Sequence, residues 1–302
     1  MKILIIRLSS LGDVVLTTPV PRLLRKKFPN SEIHFITKSE YSDIYINNNN
    51  VNKVINLEQN LKKTIKFLKS EKYDLVIDLH NNLRSNIIKY SLSVKHFTYN
   101  KQSFARWLFS NLKIKLVIKH ITKSYIETLN NLDIKDDDKG LDLFLHEKDL
   151  YDLNKMPNEF RNGFYVLVLG GKYKTKRLPV EKSIELCDKI NRPIVLIGGK
   201  NEYSDSLKIE NFFRKEKDDD DVSDILNKRT TIHNLCGKLS ILESAWILKL
   251  SNVVYSNDTG FMHIASALQK KVVSIFGSTH PSLGFFPVSY THPEPTRHHV
   301  IS

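Results

Sequence analysis

Short β-branched apolar runs alternate along this chain with longer stretches whose apolar positions recur every three or four residues. That alternation predicts strand followed by helix, repeated, and so a parallel sheet covered by helices. In the first half, Lys2–Ile6 reads as a strand, Asp13–Lys27 as a helix, and Glu32–Thr37 and Val51–Leu57 as further strands. Leu61–Ser70 reads as a helix, Asp74–Leu79 as a short buried strand, and Leu83–Tyr90 and Phe104–Leu112 as helices. A second cycle follows. Phe164–Leu169 is a predicted strand ending in Gly170-Gly171, Pro179–Ile190 a helix with proline in its first turn, and Pro193–Ile197 a strand ending in Gly198-Gly199. Glu202–Lys215 and Ser240–Lys249 read as helices, Asp218–Asp221 as a solvated loop, and Asn252–Tyr255 and Val272–Phe276 as strands.

Two cycles imply an α/β chain of two Rossmann-like, parallel-sheet domains facing a cleft. The polar segment Glu147–Asn162, with Pro157, marks the join, so the domains are expected over 1–155 and 156–287. Residues 288–302 carry no periodicity, and Val288-Ser-Tyr-Thr-His292 is also the translation of a transposase adapter; a non-native or disordered tail is expected there.

Composition narrows the class. A length of 302 residues, 41% hydrophobic and 26% charged, describes a globular protein of two ordinary domains. No segment reaches the roughly 18 consecutive apolar residues of a membrane span, and Arg7 and Asp13 interrupt the first apolar run before it could serve as a signal core. A cytoplasmic protein is expected, with Cys187 and Cys236 as reduced thiols. The net charge of +13 is uneven. Residues 1–126 hold 22 Lys and Arg against 8 Asp and Glu, a net of +14, and the remainder is close to neutral. Such a field draws polyanions or an anionic membrane surface, although surface lysines alone would give the same count. Nucleic acid is not the expected partner, because the lysines are dispersed and no recognised binding motif accompanies them.

Three turns carry candidate chemistry. Ser256-Asn-Asp-Thr-Gly-Phe-Met-His263 passes from strand to helix at the carboxyl edge of the second sheet, where open α/β sheets bind ligands. The free N–H groups of that helix start, with Thr259 and His263, suit a phosphate. Arg7-Leu-Ser-Ser-Leu-Gly-Asp13 lacks the glycine pattern of a dinucleotide turn; Asp13 there either caps a helix or takes a proton from an attacking hydroxyl. Lys172-Tyr-Lys-Thr-Lys-Arg-Leu-Pro179 is either a solvated basic loop or a diphosphate contact, and Glu202 after Gly198-Gly199 could hold ribose hydroxyls. No Asp-x-Asp occupies a suitable strand-end loop; Asp136–Asp138 and Asp218–Asp221 read as solvated, so no metal site and no cofactor are expected.

In order and spacing, these motifs resemble the bacterial heptosyltransferases that add ADP-activated heptose to the inner core of lipopolysaccharide. The resemblance runs to about Pro287. It rests on Ser9-Ser-Leu-Gly-Asp13, Tyr73-Asp-Leu-Val-Ile-Asp-Leu-His80 with Leu83-Arg-Ser85, Lys176-Arg-Leu-Pro179, Gly198-Gly-Lys-Asn-Glu202, Leu235-Cys-Gly-Lys-Leu-Ser240, Asp258-Thr-Gly-Phe-Met-His263 and Phe276-Gly-Ser-Thr-His-Pro281. It implies a GT-B fold and an inverting, metal-independent transfer from ADP-heptose to an anionic lipid-linked glycan at the inner membrane surface. It implies Asp13 as the base, Lys176 against the leaving diphosphate, Glu202 on the ribose or adenine, and Asp258, Thr259, Gly260 and His263 lining the donor site. Arg7 and Arg84 are left as acceptor or phosphate contacts. Three departures stand out: Phe261 where a small residue or proline is usual, His280 for the acidic residue before Pro281, and a missing carboxyl-terminal helical segment.

Overall fold

The structure is a computed structural model that describes residues 1–101, 119–147, 150–171, 174–219, 230–276 and 300–301. Two compact units divide the chain, the first comprising Met1–Phe144 and the second beginning at Leu145 among the described residues.

In the first unit, β1 (Lys2–Ile6), β2 (Glu32–Thr37), β3 (Lys53–Asn56), β4 (Leu75–Asp78) and β5 (Lys95–Thr98) form one parallel sheet in the order β3-β2-β1-β4-β5. Ile3, Leu4, Ile5 and Ile6 of the central strand are fully buried, as expected of a strand covered on both faces. Among the described residues its helices are α1 (Leu11–Leu16), α2 (Pro19–Lys27), α3 (Asp43–Ile46), α4 (Leu61–Ser70), α5 (Leu83–Leu92) and α6 (Ile121–Ile126).

In the second unit, β6 (Tyr165–Val168), β7 (Pro193–Ile197), β8 (Thr231–Asn234), β9 (Val254–Asn257), β10 (Val272–Ile275) and β11 (Val300–Ile301) form a parallel sheet ordered β11-β10-β9-β6-β7-β8. Its helices are α7 (Val180–Ile190), α8 (Tyr203–Asp219), α9 (Ile241–Leu250) and α10 (Gly260–Ala267). Among the described residues no helix is long and apolar enough to cross a membrane.

Several local expectations change. The single helix expected over Asp13–Lys27 is two helices. The Thr17 and Thr18 hydroxyls bond back to the carbonyls of Val14 and Val15, and Pro19 then supplies no N–H to carry the ladder on. The Asn252–Tyr255 strand lies two residues later, and α8 continues through Asp218 and Asp219 where a loop was expected. β5 and β8 escape hydrophobic patterning altogether. Both are polar edge strands, Lys-His-Phe-Thr and Thr-Ile-His-Asn, with only one fully buried position, Asn234, between them. The Phe104–Leu112 helix, Lys172 and Tyr173, residues 277–281 of the last motif, and 288–299 of the tail lie outside the described residues.

Candidate functional site

In each sheet the strand order reverses at one place, between β1 and β4 and between β6 and β9. In open α/β sheets the loops leaving such strands diverge, and ligands bind at the carboxyl edge between them. The candidate residues gather at these two places.

At the first, the turn after β1 brings Arg7 and Asp13 together. Asp13 is the third residue of α1, and its Oδ2 accepts from the N–H and hydroxyl of the capping residue Ser10, at 3.2 and 2.8 Å. Its Oδ1 meets Arg7 Nη2 at 2.9 Å and the Tyr125 hydroxyl at 3.2 Å. The Arg7 guanidinium also donates to the Leu79 carbonyl, at 2.6 Å, and lies 5.3 Å from the Tyr125 ring centre. Asp13 therefore caps its helix and, at the same time, sits 23% exposed in a cationic setting. Burial opposes its ionisation, but Arg7, Ser10 and Tyr125 outweigh that and hold its carboxyl below the ordinary range. Tyr125 is fully enclosed; burial and the nearby Asp13 charge raise its phenol well above normal, so it donates and does not ionise.

The neighbouring loop after β4 is built on Asp78. Its buried carboxylate accepts from the backbone N–H of His80 and Asn81, from Ser85 Oγ at 3.0 Å and from Lys89 Nζ at 3.1 Å. This clamp sets the start of α5. His80 is lowered to about 4 by burial and by Arg7, which keeps its imidazole neutral. Arg84 is exposed on the first turn of α5 and makes no polar contact with the Arg7–Asp13 pair among the described residues.

At the second reversal, three loops meet around Gly170. Asn257 Nδ2, at the end of β9, donates to the Gly170 carbonyl at 3.1 Å. Gly170 has φ +101°, and a Cβ there would stand 2.7 Å from Glu202 Cδ, so this position must be glycine. Glu202 accepts from the Gly199 N–H at 3.0 Å and pairs with Arg177 Nη2 at 3.0 Å, and Arg177 Nε donates to the Gly171 carbonyl at 2.9 Å. Lys176 Nζ lies 2.5 Å from Asp258 Oδ2. Next to it Thr259 begins α10 in extended conformation. Its hydroxyl is 3.3 Å from Ser256 Oγ and does not cap the helix, so the N–H groups of the first turn, starting at Gly260, are not bonded by that side chain. His263 is 3% exposed, one turn inside α10.

The sequence motifs contained Asp78, His80, Arg177 and Asn257 without assigning them roles. Tyr125 was missed entirely, because nothing local ties it to Asp13. Among the described residues, one cluster has metal-ligand character, Glu32, His34 and Glu71, whose ligand atoms lie within 4.8 Å of one another. Lys2 pairs with both carboxylates and Lys53 with Glu71, so ammonium groups already balance its charge.

Residues 61–291 match the sequence profile of Glycosyltransferase family 9 (heptosyltransferase). The chain belongs to this family. It is 25% identical to lipopolysaccharide heptosyltransferase 1 of Campylobacter coli, over 92% of this chain and 84% of that protein. Among solved structures, the ADP-heptose lipopolysaccharide heptosyltransferase II of E. coli superposes with a TM-score of 0.76 at 19% identity, covering 100% of this chain and 90% of that one. A family 9 glycosyltransferase of Veillonella parvula gives a TM-score of 0.76 at 20% identity, over 99% of this chain and 86% of that chain. These likenesses show a GT-B fold, and the family makes the chain a glycosyltransferase.

Proposed function

We propose that this family 9 member moves heptose from ADP-heptose to an anionic, lipid-linked lipopolysaccharide core, with inversion and without a metal, at the cytoplasmic face of the inner membrane. The observation that carries the reading is the Asp13 carboxylate, held ionised and partly open where the first sheet reverses. Both oxygens are already engaged, Oδ1 with Arg7 and Tyr125 on the buried side and Oδ2 with exposed Ser10. The Ser10 hydroxyl can turn away at little cost, so Oδ2 is the oxygen that receives the acceptor's proton. As that proton moves to Oδ2, the acceptor oxygen forms a bond to the anomeric carbon. The carbon–oxygen bond to the diphosphate breaks, and ADP leaves with its electron pair. Lys176, oriented by Asp258, and the first-turn N–H groups at Thr259 and Gly260 neutralise the departing charge, with His263 behind them. This assigns to Lys176 and backbone donors the task a metal would otherwise perform. Arg177 and Gly199 fix Glu202 towards the nucleoside. Arg7 holds the base, and Arg84 is assigned to acceptor phosphate.

The likeness to the Campylobacter coli and E. coli enzymes supports the sugar and acceptor class. The test is acceptor-dependent ADP release from ADP-heptose by the purified chain. Asp13→Ala should lower turnover about 10²- to 10⁴-fold, the range for removing a general base, and leave ADP affinity unchanged. Lys176→Ala should weaken ADP itself. Release that is indifferent to acceptor, or full turnover in Asp13→Ala, refutes the reading; stronger thermal stabilisation by UDP than by ADP refutes the donor.

A further inference from the structure

Outside the candidate site, the outer face of α5 in the first unit carries exposed apolar side chains. Leu83, Ile87 and Tyr90 recur at i, i+4 and i+7 and so share one side of the helix, where they are 78%, 41% and 64% exposed. The opposite side, Ser85, Ile88 and Lys89, is buried against the sheet. Helices of globular domains normally show the reverse of this, with polar residues outward. α4 packs beside α5 and adds Phe67, 39% exposed, among the exposed lysines 62, 63, 66 and 69. Residues 61–100 carry eight Lys and Arg against three Asp and Glu, and two of those acids are spent internally, Asp78 on Lys89 and Glu71 on Lys2 and Lys53.

We infer that the α4–α5 face docks on an anionic lipid leaflet, with Leu83, Ile87 and Tyr90 entering the headgroup boundary and the α4 lysines meeting lipid phosphates. An apolar stripe rimmed by ammonium groups is the pattern of an interfacial helix. A second copy of the chain fits less well, since pairing this face with itself would set lysines against lysines. α5 also starts directly after the Asp78 loop, so Leu83 is the end of the stripe nearest the carboxyl edge where Asp13 lies. A lipid-anchored acceptor would thus be presented beside the base. The inference rests on the proposed lipid-linked acceptor and names the surface that meets its membrane.

The test is co-sedimentation of the full chain with vesicles of phosphatidylcholine, with and without phosphatidylglycerol. The chain should bind the anionic vesicles, and added salt should release it. Leu83→Asp with Ile87→Asp should cut binding at least about tenfold, because charge replaces the inserted apolar contact. Lys62→Glu, Lys66→Glu and Lys69→Glu together should abolish the preference for anionic lipid. All these positions are exposed; should the double variant lose its cooperative melt, Leu83→Asp alone serves. On a deacylated, water-soluble acceptor the variants should turn over like the parent, and on a vesicle-embedded acceptor they should be slower. Failure of the parent to bind anionic vesicles, undiminished binding by the variants, or a dimer that Leu83→Asp dissociates without any vesicle binding would overturn the inference. Vesicle binding without transfer to any acceptor would instead count against the proposed activity.

Discussion

The two sheets reverse their strand order in the same way, yet they use their carboxylates differently. At the β1/β4 reversal, one acid is fully buried and bound by four donors, Asp78, and its neighbour Asp13 is left 23% open with its charge enforced by Arg7. The first anchors the loop before α5, and the second is the one left accessible. At the β6/β9 reversal, both acids, Glu202 and Asp258, serve cations: each orients a basic side chain beside glycine-rich turns and an uncapped helix start. The first reversal therefore carries a partly open carboxylate, and the second carries two acids paired with Lys176 and Arg177. Topology supplies the crevice, and the side chains on its loops decide the chemistry.

The contrast can be broken most severely at Asp78. Lys89→Met removes the only cation that bonds this carboxylate among the described residues and leaves a buried charge on neutral donors alone. It should cost about 3–5 kcal/mol in denaturant unfolding, against much less for the paired replacement of Asp78 and Lys89 by apolar residues. A loss under about 1 kcal/mol would mean that Asp78 is no scaffold. The second crevice should yield at Gly170. Gly170→Ala sets a Cβ against Glu202 at φ +101° and should cost about 1–3 kcal/mol, with weaker ADP binding by calorimetry and unchanged α5 stability by hydrogen exchange.

The finest test separates holding a charge from merely filling space. Tyr125→Phe keeps the ring against Arg7 and removes one hydrogen bond to Asp13, worth about 0.5–1.5 kcal/mol. That bond favours the carboxylate, so its loss lets the Asp13 pKa climb back towards normal. The acid limb of the kcat/KM–pH profile should accordingly move up, by at most about one pH unit, with KM for ADP-heptose unchanged. Other groups facing Asp13 are Arg7, Tyr41 and His80, and the substitution leaves all three in place. A profile that does not move would make Tyr125 a packing residue.

The sequence by itself determined the central strands, because β1, β4, β6 and β7 are apolar runs that can exist only where both faces are covered. It also placed the turns proposed to carry chemistry, since Ser9–Asp13, Lys176–Pro179 and Asp258–His263 stand between a strand and a helix wherever the chain folds as α/β. It could not display the polar edge strands β5 and β8, whose partner is a backbone and not a hydrophobic face. Nor could it settle whether Asp13 caps or reacts: the carboxylate bonds its own cap and Arg7 within the same motif, but it also accepts from Tyr125, 112 residues away, which only the packing of α6 brings within reach. Periodicity reports burial along one element, whereas the charge on a side chain is set by whatever the fold stacks against it.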